Sequence, residues 1–135
     1  MLIQLVSAED CYKLRESILR PGQPKENWTF ESDGDSRTIH LAMKNGDNNI
    51  VGVVSLLPEA KEGFPWRLRG MAVQEENRRE GIGQELLNEL CSKVCEGIWC
   101  SARKRVQEFY LKNGFETFGE EFMMNDMTHV YMGRR

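Results

Sequence analysis

Apolar positions near the start of the chain predict a short strand followed by a helix. Residues 3–6 form a brief, largely apolar run. Apolar residues then recur at spacings of three and four over residues 8–19, which is typical of one face of a helix. Ser7 is placed to cap this helix by accepting a hydrogen bond from an N–H group of the first turn. Two prolines and a glycine at residues 20–24 end it.

A polar segment over residues 21–37 follows the helix. Proline and glycine interrupt it, and it carries the aromatic residues Trp28 and Phe30. A loop of this length in a compact domain is either functional or disordered. The two aromatic residues either wall a ligand site or fill the core, and the sequence leaves both alternatives open.

From residue 38 onward, strand-like runs alternate with turns and with two more helices. Strands are predicted over residues 38–43, 50–57, 66–73, 98–101, 115–124 and 128–133. Helices are predicted over residues 81–96, where apolar residues recur at helical spacing, and over residues 102–113. The order β-α-β-β-β-α-β-α-β-β predicts an α/β fold of the α+β type. Its central sheet is expected to be mixed and mostly antiparallel, with helices on both faces.

Length and charge narrow the classes of protein further. The 135 residues suit one domain, predicted over residues 1–135. An apolar fraction of 40% beside 29% charged residues is typical of a soluble protein, and no run reaches the roughly 20 apolar residues of a membrane span. The net charge of −3 argues against broad nucleic-acid binding, which needs a basic face. Residues 66–112 are the one part with excess positive charge, nine basic against seven acidic residues.

The four cysteines show neither a CxxC pair nor regular disulfide spacing. We therefore expect a reduced, cytoplasmic protein. Cys91 and Cys95 are four residues apart on the predicted helix, but two thiolates without a nearby histidine do not complete a tetrahedral zinc site. We expect both to be small buried residues, and we predict no metal site.

The segment over residues 72–83 carries the most informative pattern. A strand ends, a short polar loop follows, and Gly81 and Gly83 open a long amphipathic helix. The free N–H groups and the dipole of a helix start favour pyrophosphate, and glycine lets a ligand approach the backbone closely. Arg78 and Arg79 can add charge-assisted contacts to phosphate.

Other phosphate-binding motifs do not fit this segment. No Gly-Lys-Ser/Thr follows the glycines, which excludes the Walker loop. The third glycine of a dinucleotide fingerprint is missing, and antiparallel strands precede the loop where a parallel unit is needed. An arginine-rich turn that binds nothing remains the alternative.

Two blocks of the second half resemble the GNAT superfamily of acyl-CoA-dependent N-acetyltransferases, in particular its small bacterial-type members. Residues 78–83, Arg-Arg-Glu-Gly-Ile-Gly, are similar to the superfamily motif Arg/Gln-x-x-Gly-x-Gly/Ala, at the matching distance after a strand. Tyr110, followed by Gly114 and Phe115, resembles the second block, in which a helix carries a tyrosine and ends at Gly-Phe. The first half matches only through its order of elements. The resemblance implies the GNAT fold, with acetyl-CoA as cosubstrate.

The resemblance also implies roles for individual residues. In this superfamily an amine attacks the thioester directly, backbone N–H groups stabilise the thioester oxygen, and a tyrosine protonates the leaving thiolate. Tyr110 is the implied acid, since a tyrosine near pKa ~10 stays protonated beside a thiol near ~8.5. The implied cofactor-binding residues are Met71, Ala72, Val73, Arg78, Arg79, Glu80, Gly81, Ile82, Gly83, Gln84 and Arg103.

The sequence says less about which residues contact the acceptor amine. Some relatives carry a glutamate on the strand before the phosphate loop, but this chain has Arg67 and Arg69 there. These arginines either hold an acidic group of the acceptor or are solvated charges at a strand edge. His129, like His40, either acts on the acceptor, through water, or has a structural role.

The sequence therefore predicts an enzyme that transfers the acetyl group of acetyl-CoA to an amine of an unidentified, small-molecule acceptor. Its expected partners are acetyl-CoA and that amine, with no nucleic acid and no membrane, and a homodimer is left open. The alternative is a non-catalytic acyl-CoA-binding regulatory module of the same fold. The negative net charge disfavours a third interpretation, a tRNA-modifying toxin.

Overall fold

The computed structural model describes all 135 residues and contains seven strands and three α-helices. The strands are β1 (Leu2–Leu5), β2 (Ile39–Lys44), β3 (Ile50–Leu57), β4 (Trp66–Val73), β5 (Ile98–Arg103), β6 (Glu116–Met124) and β7 (Met127–Arg134). The helices are α1 (Ala8–Leu14), α2 (Ile82–Cys91) and α3 (Gln107–Leu111). A π-helical turn at Arg15–Leu19 continues α1, and 3₁₀ turns lie at Lys25–Asn27, Glu31–Gly34, Glu75–Asn77 and Lys104–Val106.

Contacts within the chain divide it into two compact units. The first comprises Met1–Pro58 and Leu68–Cys95, and the second comprises Glu59–Arg67 and Glu96–Arg135. The prediction that residues 1–135 form one domain stays a prediction.

The first unit is a helix-covered sheet with the strand order β1-β2-β3-β4. The β1–β2 and β2–β3 pairs are antiparallel. Val53 of β3 packs in one cluster with Cys11 and Leu14 of α1, whereas the neighbouring Gly52 lies against Ile82 of α2. Successive strand residues point to opposite faces, so α1 and α2 cover opposite faces of this sheet.

The second unit is built on β5, β7 and β6, in that order, with the first two residues of β4. β4 pairs with β5 in parallel at Trp66↔Ile98 and Arg67↔Trp99. The β5–β7 and β6–β7 pairs are antiparallel, and the β6–β7 register shifts between Phe118 and Phe122. Stacked aromatic rings lie along β6 and β7, with Phe122 and Tyr131 4.5 Å apart between centroids.

The start of α1 agrees with the predicted cap at Ser7, but the α-helix gives way to a π turn before its predicted end. The Ser7 hydroxyl accepts the Asp10 N–H at 3.4 Å, and the Asp10 carboxylate accepts the Ser7 N–H at 3.2 Å, which forms a capping box. The α-helical pattern ends at Leu14, and the π turn follows, with the Arg20 N–H reaching the Arg15 carbonyl oxygen at 3.2 Å.

The other two helices are shorter than predicted. α2 ends at Cys91 because the Ser92 hydroxyl donates to the Glu89 carbonyl oxygen at 2.6 Å, and the Lys93 N–H takes an i→i−3 partner at Leu90. Such local bonds compete with the α-helical ladder. The first part of the predicted helix at 102–113 belongs to β5 and to a 3₁₀ turn.

The early end of α2 decides the environment of two cysteines. Cys91 is half-buried, but Cys95 lies beyond the helix and is exposed, so the expectation that both are buried is wrong for Cys95. Cys11 and Cys100 are buried. All four thiols are free, and nowhere do three or more histidine, cysteine or acidic side chains group as they would around a metal ion. None of the helices is long and apolar enough to cross a bilayer.

Candidate active site

Strand β4 carries an irregularity directly before the residues predicted to meet the thioester. Gly70 has a φ of 71°, in the left-handed region that glycine tolerates. Ala72 is buried in the cluster with Cys11 and Val53, which fixes the inward face of the strand. Met71 and Val73 flank it and are partly exposed. A left-handed residue inside a strand turns the following backbone groups out of a regular ladder, and Met71–Val73 lie at that point.

The predicted phosphate loop joins β4 to α2 through two left-handed residues. Arg79 has a φ of 70° and Gly81 a φ of 78°. Residues 78–81 are exposed, and a Cβ at Gly81 would meet nothing within 4 Å. No side chain caps the start of α2, so the N–H groups of its first turn have no side-chain acceptor. Two arginines beside an uncapped, exposed helix start suit an anionic group.

The start of α2 is held in place by an apolar contact with β3. A Cβ at Gly52 would lie 2.8 Å from Cγ2 of Ile82 and 3.1 Å from Cδ1 of Leu86. Because Gly52 lacks that atom, both side chains pack directly on the strand, and the buried residues Leu87 and Leu90 extend the contact. The first turn of α2, with Gly83 and Gln84, is thereby anchored at the end of β4.

Two predicted cofactor residues interact within the loop and helix. The Glu80 carboxylate accepts the side-chain amide of Asn77 at 3.3 Å. The Gln84 side-chain amide donates to that of Asn88 at 2.9 Å, one turn further along α2. Both contacts join residues of the same loop or the same helix.

Tyr110, the predicted acid, lies in the second unit inside an aromatic cluster. Its ring meets Phe109 and Phe115 edge to face, at 5.1 and 5.4 Å between centroids. Burial, with a smaller contribution from Cys100, raises the pKa of Tyr110 far above its ordinary value. The hydroxyl therefore keeps its proton throughout the physiological range.

Arg103 and His129 face each other in the β5–β7 register. His129 is buried and stacks on Phe122 at 5.5 Å. Its Nδ1 lies 2.9 Å from the carbonyl oxygen of Met127, which can only accept, so Nδ1 carries a proton. In the neutral ring this leaves the lone pair on Nε2.

Arg67 and Arg69 each lie against an aromatic ring. In the second unit, Arg67 pairs with the Glu59 carboxylate at 3.1 Å and stacks over Trp99 at 4.6 Å. In the first unit, Arg69 stacks over Phe30 at 4.0 Å. Neither is simply a solvated edge charge.

A buried polar cluster in the first unit was not predicted from the sequence. It consists of Arg15, Asp33, His40 and Ser55. Arg15 is completely buried and donates to both Asp33 carboxylate oxygens at 2.8 and 2.9 Å, and to the Ser55 hydroxyl at 3.0 Å. His40 Nε2 lies 3.1 Å from the Asp33 carbonyl oxygen, so Nδ1 accepts the Ser55 hydroxyl proton at 2.6 Å.

The long loop at residues 21–37 packs over this cluster. The Trp28 carbonyl oxygen accepts from Arg15 at 3.2 Å, and the Phe30 ring lies 3.9 Å from the Arg15 guanidinium carbon. Both aromatic side chains are half-buried. The only sequence signal for the cluster is the loop's length, because its polar members are scattered over four separate elements.

Comparisons with known proteins identify the family and the fold of the chain. The profile of the Acetyltransferase (GNAT) domain family matches residues 35–117. The uncharacterized N-acetyltransferase YitI of Bacillus subtilis is 32% identical over 128 aligned positions, covering 89% of this chain and 85% of the relative.

Solved structures show the same fold. Escherichia coli ElaA superposes with a TM-score of 0.84 at 18% identity, covering 99% of each chain. An aminoglycoside 6′-N-acetyltransferase complexed with coenzyme A superposes with a TM-score of 0.74 at 18% identity, covering 99% of this chain and 96% of that one. The predicted α/β fold class, with its mixed and mostly antiparallel sheet, is confirmed.

Proposed function

The chain belongs to the GNAT acetyltransferase family, and from this membership we propose that it transfers the acetyl group of acetyl-CoA to an amine. The observation that carries the proposal is the uncapped start of α2, where Arg79 and Gly81 take left-handed conformations beside the exposed Arg78. Such a helix start offers backbone N–H groups to pyrophosphate.

The cofactor-binding residues we propose are those of β4 and the loop that follows. Residues 78–84 hold the pyrophosphate, with Arg78 and Arg79 adding charge, and Arg103 contributes a further contact to the cofactor. Backbone N–H groups of Met71–Val73 stabilise the thioester oxygen as it gains negative charge. A lost donor of this kind costs roughly 3 kcal/mol of transition-state stabilisation.

In the proposed reaction, the neutral amine of the acceptor attacks the thioester carbon, the C–S bond breaks, and the leaving thiolate takes a proton from Tyr110. The acylated nitrogen then loses one N–H proton, which returns through solvent to the tyrosinate. The raised pKa keeps the Tyr110 hydroxyl protonated, but it also makes Tyr110 a weaker acid toward the thiolate. The proposed role therefore rests on the position of Tyr110 in the motif. The products are the N-acetylated acceptor and CoA.

For the acceptor, we propose contacts with Arg67, Arg69 and His129. The free Nε2 lone pair of His129 suits it to accept the ammonium proton through water. We place the reaction in the cytoplasm, with a small-molecule amine as acceptor and neither nucleic acid nor membrane as partner, and a homodimer is compatible with this scheme.

The alternative of a non-catalytic acyl-CoA-binding module is favoured by one feature of β4. Arginines occupy positions 67 and 69, where some relatives carry a carboxylate base. Tyr110 favours the enzyme, because it occupies the position of the tyrosine that the family motif uses as proton donor.

Calorimetry with acetyl-CoA and CoA, followed by a screen of amines for CoA thiol release, tests both proposals. We expect binding in the low micromolar to submillimolar range, weakened by salt, and turnover of at least one amine. Absence of binding refutes the cofactor site. Binding without turnover of any amine refutes the enzyme and supports the regulatory module.

A further inference from the structure

The second unit contains an open cavity of about 700 Å³, which is large enough for a small organic ligand. Three aromatic side chains of its lining form a row, in which Phe118 stacks on Phe64 at 5.4 Å and on Tyr131 at 5.7 Å between centroids. Gly119 and Glu120 also line the cavity and are exposed, so a ligand can enter from solvent.

The cavity follows β7 toward His129. Phe64 packs against Gly133, Tyr131 lies two residues before that glycine, and His129 two residues before Tyr131. Side chains two residues apart share one face of a strand, so a ligand at Tyr131 lies about 7 Å from His129. Phe122 joins the two positions, since its ring stacks on Tyr131 at 4.5 Å and on His129 at 5.5 Å. The cavity therefore adjoins the histidine that we propose contacts the acceptor.

Lys61 brings a positive charge to the Tyr131 end of the cavity. Its Nζ atom lies 4.5 Å from the ring centroid of Tyr131 and 5.9 Å from that of Trp99. The side chain is half-buried, lines the cavity and takes part in none of the ion pairs of the chain. An ammonium group has three donors, so it can bind a carboxylate of a ligand while it stays over the ring.

The other charged residues of the lining limit the charge of the ligand. Arg135 lies over Phe64 at 4.4 Å, and a planar guanidinium of this kind also stacks on aromatic ligands. Three exposed glutamates complete the charged lining: Glu62, Glu116 and Glu120. Two cations beside three carboxylates do not favour a phosphate or another dianion. A single carboxylate at Lys61, on a molecule that also carries an amine, fits this balance.

We propose that the cavity binds the side chain of the acceptor and that Lys61 binds its carboxylate, so that the acceptor is an α-amino acid with an aromatic side chain. The order of groups along β7 matches such a molecule, with its amine toward His129, its carboxylate at Lys61 and its ring against Phe118 and Phe64. This inference rests on the proposed acetyl transfer and names the substrate class of the same site.

The first test compares four amines: L-phenylalanine, phenethylamine, L-alanine and ethylamine. Each carboxylate member should have a kcat/KM at least ~10-fold above that of its partner without the carboxylate, as one charge-assisted hydrogen bond allows. Each member with a ring should exceed its partner without the ring at least ~10-fold, because the cavity buries the ring. Differences in amine basicity cancel when each ratio is compared between a variant and the wild type.

Two variants of the cavity separate the two preferences. Lys61→Met keeps the aliphatic stem but removes the charge, so it should bring the carboxylate ratio close to one and keep the ring ratio. Phe118→Leu should lower the ring ratio and keep the carboxylate ratio. Lys112→Met is the matched control, because Lys112 lies in the same unit outside the cavity. A wild type without either preference, or unchanged ratios in both cavity variants, overturns the inference while leaving the acetyltransferase intact.

A second readout does not depend on turnover. In protein labelled with ¹⁵N-glycine, the amide signal of Gly119 should shift with L-phenylalanine at lower concentration than with phenethylamine or L-alanine. Gly119→Asn assigns the signal, since asparagine tolerates the φ of 69° at this position. Gly46, outside the cavity, should not respond.

If no amine is turned over, the enzyme proposal fails and the Gly119 shift still decides whether the cavity binds this class of molecule. A Gly119 signal that millimolar L-phenylalanine leaves in place, or moves no more readily than the other two amines do, means that the inference is wrong.

Discussion

Arg15 and Asp33 form a bidentate ion pair that is almost completely withdrawn from solvent, with N–O distances of 2.8 and 2.9 Å. The same carboxylate accepts the Phe30 N–H at 2.9 Å and the Tyr12 hydroxyl at 3.4 Å. One acidic side chain therefore fixes both the arginine and the loop that covers it.

Replacing one partner of this pair should destabilise the protein strongly. Asp33→Asn leaves the buried Arg15 charge uncompensated, and we expect the free energy of unfolding to fall by about 3–5 kcal/mol in urea titrations at pH 7. Asp35→Asn is the control, because Asp35 pairs with Arg37 at the surface and should contribute little. Similar losses in the two variants would contradict a dominant buried pair.

Lowering the pH should reduce the free energy of unfolding, because it protonates the Asp33 carboxylate. Burial opposes the charged form of Asp33, but hydrogen bonds from Arg15 and Phe30 prevail and hold its pKa below the ordinary value. A depressed folded-state pKa stabilises the native state above the unfolded pKa of ~3.9, and that stability is lost as pH falls through the folded value. Urea titrations between pH 6 and pH 2 should show this slope in the wild type. If the unfolding free energy of Asp33→Asn depends on pH as steeply as that of the wild type, the pH dependence comes from other carboxylates.

A glycine of β7 supports the packing of Phe64 in the second unit. A Cβ at Gly133 would overlap the Phe64 ring, with ring atoms at 2.6 and 2.7 Å. Gly133→Ala should therefore cost about 1–3 kcal/mol of unfolding free energy by overpacking, measured by urea titration. Gly46→Ala, with nothing within 4 Å, should change little. If the double variant Gly133→Ala/Phe64→Ala loses the sum of both single effects, the two residues do not clash as described.

Gly83 tests the proposed pyrophosphate site. Valine at this position puts a branched side chain at the start of α2, where a phosphate would approach, and we expect CoA affinity to fall at least ~10-fold by calorimetry. The fold should be kept, since valine has a higher helix propensity than glycine. Unchanged CoA affinity in Gly83→Val would remove the phosphate role of this loop.

Tyr110→Phe separates a proton donor from a packing residue. The ring and its contacts with Phe109 and Phe115 remain, so we expect kcat to fall roughly 10²-fold with little change in cofactor affinity. The loss should shrink at low pH, where solvent protonates the thiolate more readily. Tyr131→Phe removes a hydroxyl elsewhere in the same unit and is the control.

The raised pKa adds a further expectation for the wild type. Because Tyr110 keeps its proton, its ionisation should cause no decline of kcat between pH 8 and 10. If Tyr110→Phe keeps the full kcat from pH 6 to pH 9, Tyr110 is a packing residue and does not donate the proton.

Features set by neighbouring residues were predictable from the sequence, and features set by distant partners were not. The bounds of β3 and β4 and the Ser7 cap agree with the predictions because periodicity and capping act over a few residues. Arg15 meets Asp33 across 18 residues and Ser55 across 40, and no local pattern encodes such pairs. The proposed phosphate loop could be predicted from the sequence because a glycine pair before an apolar helix is itself a local pattern.

The four thiols differ in exposure, so their reaction with a thiol reagent reports whether the chain is folded. Burial raises the pKa of Cys11 to about 11, Cys100 is also enclosed, and Cys91 is half-covered, whereas Cys95 is open to reagents. A maleimide dye at neutral pH should therefore modify one position quickly in the native state and all four after denaturation. Dyes that count released CoA will also count Cys95, which supplies a fixed baseline of one equivalent per molecule, and Cys95→Ser would remove that baseline.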